Sequence, residues 1–437
     1  MSLTALAFLG IYALFLMMAF LRHPIFGLYA YLWDFYLNPS QAWWGSELPN
    51  WRWSLIAAAF TLFSLVKWKP SVARRPWFSN LGAWLLVIFV FWMWVQILWA
   101  VNSDYHLEGA ILYTKYLFLF YLIYEIVSDE QTFELFAWGH VIGCFIFGWI
   151  AYGEIGAGRL ENIGGAGVND ANTLGVHLIT GLTFAGFMFL GVAGKRRWIA
   201  LGAIPFILNA IILTLSRGAW VGLLAAGLAA WYFVPRFIKR RVYFVAPLAV
   251  VLLLMLAHDM FWQRMGTIPV ETNEGIEASA WSRVVVFKAN WKMFEDHPLG
   301  AGFRGNEVIS PKYIEFEYLA ENGLRSAHNT FMAFLVDQGV PGGFLFLGMV
   351  LWAANSIRRI KSLDGPGLPP YIGLYGAAIG AAFVGLFVSG QFINLLRAEV
   401  QIWLIAALAS LNQVSPVLLS EREEQVLKLT KLELARR

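Results

Sequence analysis

Residues 82–101 read GAWLLVIFVFWMWVQILWAV, and no charged side chain occurs between Arg75 and Asp104. An α-helix needs about 20 predominantly apolar residues to cross the hydrocarbon core of a bilayer. Because lipid offers no hydrogen bonds, a spanning segment must satisfy its own backbone groups, and a helix does so. The stretch therefore predicts a transmembrane helix.

Comparable apolar runs recur along the 437-residue chain, which predicts an all-α polytopic membrane protein. We count 12 or 13 spans and prefer about 12 transmembrane helices, because the second run is short and bracketed by Pro24 and Asp34. That run is either re-entrant or completes the first hairpin. The runs are 3–21, 24–37, 53–67, 82–101, 109–127, 133–152, 171–193, 198–215, 217–234, 242–257, 328–355, 371–390 and 395–413.

The composition excludes several protein classes. Hydrophobic residues make up 59% of the chain and charged residues 14%, and the mean hydropathy is +0.60. Soluble domains are closer to 45–50% apolar and about 25% charged. A soluble enzyme, a disordered chain and a nucleic-acid-binding domain are therefore excluded. The single cysteine, Cys144, rules out a disulfide framework and a cysteine-based metal site.

The basic residues predict the orientation. Lys and Arg gather in short loops that all lie on one side if the spans alternate, and this side is expected to be the cytoplasm. These clusters lie at 67–75, 195–197, 236–241 and 358–361, and in the C-terminal tail. The long loop 258–327 has seven basic and ten acidic residues and is expected to face the periplasm.

Four segments follow from this reading. Residues 1–257 are expected to form an N-terminal transmembrane bundle, and residues 258–327 a long periplasmic loop with an amphipathic helix. Residues 328–413 would add the C-terminal spans. Residues 414–437 are expected to form a separate cytoplasmic amphipathic helix, with Ser420 and Glu423 as a capping box.

The long loop contains a second amphipathic pattern. A helix is predicted to open at Ser282, with Arg283 in its first turn and an apolar stripe at Val284, Phe287, Trp291 and Phe294. His297-Pro298 ends the pattern because a residue before proline avoids helical dihedrals. We expect this helix to lie over the outer membrane surface.

The loop ends at a histidine. Ser326 is a candidate N-cap, which would place His328 in the first turn of the next span. The positive end of a helix dipole disfavours an imidazolium there. A neutral imidazole near pH 7 is what a general base requires.

An arginine stands at a similar position on another helix. In the stretch Thr214–Trp220, Ser216 is expected to cap a helix with Arg217 in its first turn. Helix N-termini bind anions, and a guanidinium adds bidentate phosphate recognition. A Gly-rich stretch, 158–172, forms a third outer element with Arg159 and Asn172, and its glycines would allow close approach of a ligand or simply form a turn.

Each residue also has an ordinary structural interpretation when taken alone. Arg217 would be a snorkelling residue, Arg283 a surface charge and His328 a structural histidine. His140 and His177 lie within predicted spans, and we interpret both as structural histidines. Ionisable groups in or near spans are functional suspects without an assigned role, namely Lys115, Glu125 and Glu154.

Three patterns together resemble the O-antigen ligase and polymerase superfamily of bacterial envelope glycosyltransferases. They are Ser216-Arg217-Gly218-Ala219-Trp220; Arg283 with Trp291, Asp296-His297-Pro298-Leu299-Gly300 and Gly302; and His328-Asn329-Thr330-Phe331 with Gly339-Val340-Pro341-Gly342. The resemblance implies a GT-C-type fold of about 12 helices in the bacterial inner membrane, with a periplasmic site and a cytoplasmic C-terminus. It makes His328 catalytic and Arg217 and Arg283 pyrophosphate binders, while Arg159 and Asn172 match more loosely.

The resemblance also implies the substrates. The donor would be a glycan on undecaprenyl pyrophosphate, and an O-antigen ligase would transfer it to lipid A-core. A polymerase or a protein O-glycosylation ligase would use the same donor, and the acceptor does not follow from the residues. A transporter is the alternative from another class, but its polar residues should lie at the membrane midplane. No HExxH, P-loop or outer Asp-x-Asp motif occurs, so we expect neither metal nor cofactor.

Overall fold

The computed structural model describes residues 1–68, 75–153, 159–165, 167–256, 262, 278–364 and 369–435, and its side-chain description ends at residue 419. These residues form 15 α-helices and no strand. The helices are α1 Leu3–Leu21, α2 Ile25–Leu37, α3 Trp53–Leu65, α4 Leu81–Gln96, α5 Ser103–Ile126, α6 Glu130–Gly153, α7 Ala171–Gly191, α8 Arg197–Leu213, α9 Arg217–Phe233, α10 Lys239–Leu256, α11 Ala278–Asp296, α12 Gly305–Ile309, α13 Thr330–Ser362, α14 Pro370–Ser389 and α15 Val400–Ala435.

Every predicted apolar run overlaps one of these helices, so the chain is an all-α polytopic membrane protein. Seven helices are long and apolar enough to cross a membrane, and the bent pair α9 and α10 would make eight. Three shorter apolar helices are α3, α4 and α8. The count of about 12 spans and the GT-C type stay predictions.

The run that opens the sequence analysis forms a shorter helix than predicted. α4 ends at Gln96, not at residue 101. Beyond it, Trp99 Nε1 donates to the carbonyl of Gly300 at 3.2 Å and Val101 N to that of Ala301 at 3.0 Å. Tertiary hydrogen bonds to a distant loop thus end the helix before its apolar pattern ends.

The predicted basic clusters meet at one end of the bundle. Arg196 pairs with Glu134 at 2.7 Å, and Arg241 donates to the carbonyl of Leu190. From α13, Lys361 donates to the carbonyl of Tyr232 at 2.7 Å. The clusters near residues 195, 240 and 360 therefore share a face, and assigning that face to the cytoplasm stays a prediction.

The predicted break between the runs 217–234 and 242–257 is present, whereas the predicted start of the tail helix is wrong. α9 and the helix that follows it are bent by 102° at the break around Pro235, where the φ of proline and its missing N–H end the helix. The tail is not a separate helix, because α15 runs without interruption to Ala435. Ser420 lies inside that helix and starts none; the side chains of residues 420–437 lie outside the described part.

Candidate functional site

The N-terminus of α9 forms as predicted. Ser216 is the N-cap and its Oγ accepts from Ala219 N at 3.2 Å, so Arg217 is the first helical residue. Leu215, just before the cap, has a φ of 49°, which few non-glycine residues adopt. The Arg217 side chain is half-buried at the open end of the helix.

The Gly-rich element lies against this helix end. Arg159 donates through Nε to the carbonyl of Thr214 at 2.9 Å and through Nη2 to Asn172 Oδ1 at 2.8 Å. Ser216 Oγ donates to the same Asn172 oxygen at 2.8 Å. Arg159 also pairs with Glu161 at 3.3 Å. The two loosely matched residues are thus joined to the N-cap of α9.

Two glycines of this element pack against protein. Gly167 has a φ of 85°, and a Cβ there would come within 2.2 Å of the Arg397 carbonyl oxygen. A Cβ on Gly165 would lie 3.0 Å from the Phe35 ring. The close approach expected of these glycines is therefore to the backbone and side chains of the protein. Residues 158 and 166 of the stretch lie outside the described residues.

The N-terminus of α13 differs from the prediction. Asn329, not Ser326, is the N-cap, and its Oδ1 accepts from Met332 N at 3.0 Å. The first helical residue is Thr330, so His328 precedes the cap and is not in the first turn. It adopts the left-handed conformation, with a φ of 45°, and its side chain keeps an exposed surface.

Residues 389–395 connect the two helix ends. On the α13 side, Asn329 Nδ2 donates to the Gln391 carbonyl at 3.0 Å, and Thr330 N donates to the carbonyl of Gly390 at 2.7 Å. On the α9 side, Ser389 Oγ donates to the carbonyl of Gly218 at 3.2 Å. The segments that carry Arg217 and His328 therefore meet on a shared support.

α11 packs against α13. It begins at Ala278, earlier than predicted, so Arg283 does not lie in its first turn. Val286, Ala289 and Met293 are its buried apolar residues, and they pack in a small core with Val336 of α13. Three residues of the predicted stripe, Val284, Phe287 and Trp291, are exposed, whereas Phe294 packs against this core. An apolar stripe turned outward fits a helix lying on the membrane surface, which stays a prediction.

A break in α13 holds the loop that follows α11. Gly339 has non-helical dihedrals, φ 66° and ψ −166°, which leave the preceding carbonyls free for other donors. Ala301 N donates to the carbonyl of Val336 at 2.8 Å, and Gly302 N donates to that of Asp337 at 2.9 Å. Two of the resembling patterns, around Gly300 and around Gly339, are thus in direct contact.

The sequence analysis missed the polar residues that secure this contact. Buried Asp337 accepts from Asn306 N and Nδ2, both at 2.8 Å, and from Arg304 N at 3.0 Å. Gln96 Nε2 donates to the Asp337 carbonyl at 2.7 Å. Asp337 is the only acidic residue in the predicted span 328–355, and that isolation was an available signal.

The charges around His328 favour its neutral form. Partial burial lowers the pKa of His328 below its ordinary value of 6.5, and the positive charges of Arg325 and Arg283 lower it further. Asp170 and Glu307 act in the opposite direction. Burial and two arginines, rather than a helix dipole, thus favour the predicted neutral imidazole. Arg325 is a second residue that the sequence analysis missed.

An apolar cavity of about 530 Å³ begins beside this cluster. Thr330 and Gln391 line one end, and Phe233 and Arg358 line the other. Between them the walls are apolar side chains of α4, α13, α14 and α15, such as Phe334 and Met349. The cavity therefore follows α13 from the His328 end toward the basic end of the bundle.

One group among the described residues offers metal-ligating atoms. His140, Cys144 and His177 are buried and place one such atom each within 4.8 Å of the others. The Tyr36 hydroxyl lies between them, 2.6 Å from His140 Nδ1 and 2.9 Å from His177 Nε2. These are hydrogen-bond distances, so the tyrosine occupies the space that an ion would need.

The other ionisable suspects do not join the His328 cluster. Lys115 is exposed on the surface of α5, and Glu125 is half-buried near the C-terminal end of that helix. Glu154 lies outside the described residues. Arg397, which the sequence analysis did not select, pairs with Glu108 on the same face as Arg159.

Residues 200–347 match the family model described as O-antigen ligase. This part of the chain is similar to the O-antigen ligase family. It covers about a third of the sequence and includes Arg217, Arg283 and His328, whereas Arg159 and Asn172 lie before it. No curated protein matches the chain. The predicted resemblance is confirmed over this range, and with the apolar helices it indicates a membrane enzyme of the glycosyltransferase type.

Proposed function

We propose that this protein is an O-antigen ligase, which transfers a glycan from undecaprenyl pyrophosphate to lipid A-core at the periplasmic face of the inner membrane. The observation that carries the proposal is that the helix ends bearing Arg217 and His328 both bond to residues 389–395 inside or beside the matched domain. Arg283, on α11, also lies close enough to lower the pKa of His328.

In the proposed reaction, His328 is the general base. The acceptor hydroxyl attacks the anomeric carbon of the donor sugar and gives its proton to the neutral imidazole. The bond from that carbon to the pyrophosphate oxygen breaks, and the pyrophosphate leaves with its electron pair. Direct attack opposite the leaving group inverts the anomeric centre. A lowered pKa keeps His328 able to accept the proton near pH 7.

The arginines stabilise the leaving group in the proposed reaction. Pyrophosphate gains negative charge as it leaves, and fixed cations stabilise that charge in the transition state. Arg217 supplies one guanidinium at a helix N-terminus, where backbone N–H groups also favour an anion. Arg283 supplies another from α11. With two guanidinium groups the reaction needs no divalent cation in this proposal.

The apolar cavity supports a lipid-linked donor. A polyprenyl chain is apolar and would follow the cavity between α13 and α14 while its pyrophosphate stays beside His328. The donor would then enter sideways from the bilayer. A transporter would instead be expected to carry its polar residues at the midplane, often on broken helices in repeated halves.

Lipopolysaccharide from a deletion strain tests the acceptor. We expect core-only lipid A, with lipid-linked polymer accumulating in the membrane. A product with one repeat unit would identify a polymerase, and unchanged lipopolysaccharide with loss of a glycoprotein would identify a protein O-glycosylation ligase. Transfer by the purified protein in excess EDTA tests metal independence, and activity that returns only with Mg²⁺ or Mn²⁺ would contradict it.

A further inference from the structure

Arg325 lies close to both His328 and α11. Its charge acts on the His328 imidazole, and its Nη2 lies 3.3 Å from the Ser282 Oγ, the neighbour of Arg283. Its backbone N–H donates to Ser310 Oγ at 2.8 Å. The side chain is therefore held between the segment before α13 and α11.

The guanidinium of Arg325 is incompletely satisfied. Its Nε is buried and has no hydrogen-bond partner, and Arg325 forms no ion pair with an acidic side chain in the described part of the chain. Leaving a charged donor buried and unpartnered costs free energy, which a ligand that accepts from it would recover. Arg325 therefore carries an unused donor, which an acceptor reaches only when the surrounding side chains move aside.

Arg304 shows what a satisfied arginine looks like in the same loop. Its Nε and Nη2 both bind Glu307, at 2.8 and 2.7 Å, and its guanidinium lies 4.4 Å from the centre of the Tyr105 ring. An arginine that only stabilises the loop can therefore find an acidic partner there. Arg325 has none in the described part of the chain, although Glu307 lies within electrostatic range of His328.

We propose that Arg325 is a third substrate-binding guanidinium, whose Nε–H donates to a phosphate oxygen of the donor pyrophosphate. The inference rests on the proposed function and extends it. A guanidinium fork matches the oxygens of a phosphate. With Arg217 and Arg283, the donor diphosphate meets three arginines, so both of its phosphates have charged donors.

The alternative role of Arg325 is structural, a hydrogen bond that links α11 to the segment before α13. Ser282→Ala separates the two roles, because it removes the acceptor of that hydrogen bond and leaves the guanidinium. The probe is undecaprenyl pyrophosphate without a glycan, and binding is measured to the full-length protein in nanodiscs. We expect Arg325→Gln to weaken binding about tenfold to a hundredfold, the loss typical of a hydrogen bond between charged groups.

The controls decide the outcome. Ser282→Ala and Arg304→Gln should bind undecaprenyl pyrophosphate as the wild type does, and Arg325→Lys should recover binding only in part. Wild-type affinity in Arg325→Gln, or an equal loss in Ser282→Ala, would overturn the assignment of Arg325. No binding by the wild type would overturn the proposed function itself, so the two failures are distinguishable.

A pH profile tests the position of Arg325 beside His328. His328 is faced by Arg325, Arg283, Asp170 and Glu307. Because Arg325 lowers the pKa of His328, Arg325→Gln should move the acidic limb of the transfer rate to higher pH. Ser282→Ala and Arg304→Gln should leave that limb in place, and an unmoved limb in Arg325→Gln would contradict the position of Arg325 beside the base.

Discussion

The N-termini of α9 and α13 are built alike but carry their ionisable residues on opposite sides of the cap. Each cap follows a left-handed residue, Leu215 at φ 49° and His328 at φ 45°. Arg217 comes after its cap, in the helix, whereas His328 comes before. Such backbone conformations cost about 1–3 kcal/mol each and cluster at functional sites.

The difference follows from what each group must do. A permanent cation in the first turn opposes the helix dipole unless an anion is bound there, so Arg217 is suited to a site that receives pyrophosphate. A base must lose its charge easily and reach a second substrate. His328, held outside the helix with an exposed surface, meets both needs. The comparison therefore predicts different consequences for substitutions at the two ends.

The largest effect is expected at His328. His328→Ala should lower transfer by about 10²–10⁴-fold, the usual contribution of a general base, while undecaprenyl pyrophosphate binding is retained. His328→Gln keeps a hydrogen bond to the acceptor but accepts no proton, so it should be nearly as inactive. Single-turnover transfer and donor binding measure the two properties separately. An active glutamine variant would make His328 a positioning residue.

Arg217 should show a loss in both transfer and donor binding. Arg217→Lys keeps the charge but lacks the planar fork, so it should fail nearly as badly as Arg217→Ala. Loss of a charged transition-state contact costs about 3 kcal/mol, or roughly a hundredfold in rate. Arg283→Ala should behave in the same way. A fully active lysine variant at normal expression would return Arg217 to a snorkelling role.

How far the sequence predicts this site depends on the range of the interactions. The cap at Ser216 was predictable because capping depends on residues within one turn. The cap at Asn329 was not, because the polar stretch 325–330 offers several candidates and Asn329 is selected by its bond to Gln391, far away in sequence. Helix existence was likewise predictable from apolar runs, whereas the end of α4 depends on Gly300 and Ala301.

The missed residues show the same limit. Arg325 and Asp337 have no pattern of their own, and their roles arise from partners brought close by folding. Asp337 accepts a hydrogen bond from Asn306. Arg325 lies near His328, and the position of the His328 side chain depends on the left-handed backbone of that residue. The resembling patterns located the region, but they did not predict that the stretches around Gly300 and Gly339 touch.

The pH dependence of transfer in the wild type tests the His328 end of this comparison. In the proposed reaction His328 acts as a general base, so its protonation should produce an acidic limb. Its pKa is lowered from 6.5, and the base is active when unprotonated; transfer should therefore be flat around pH 7–8 and fall only below pH 6.5. The profile of kcat/KM for the acceptor measures this. A limb at or above pH 6.5 would contradict the described environment.

The smallest effect is expected from the caps themselves. Ser216→Ala and Asn329→Ala each remove the acceptor for one backbone N–H, of Ala219 and of Met332, which should cost about 1 kcal/mol of stability. Asn329→Ser keeps a cap of similar strength but loses the donor to the Gln391 carbonyl. Thermal denaturation in nanodiscs should therefore rank Asn329→Ser close to the wild type if the two N-termini are equivalent capping structures. If Asn329→Ser is instead as unstable as Asn329→Ala, the bond to Gln391 contributes more than the cap, and the two helix ends are held by different interactions.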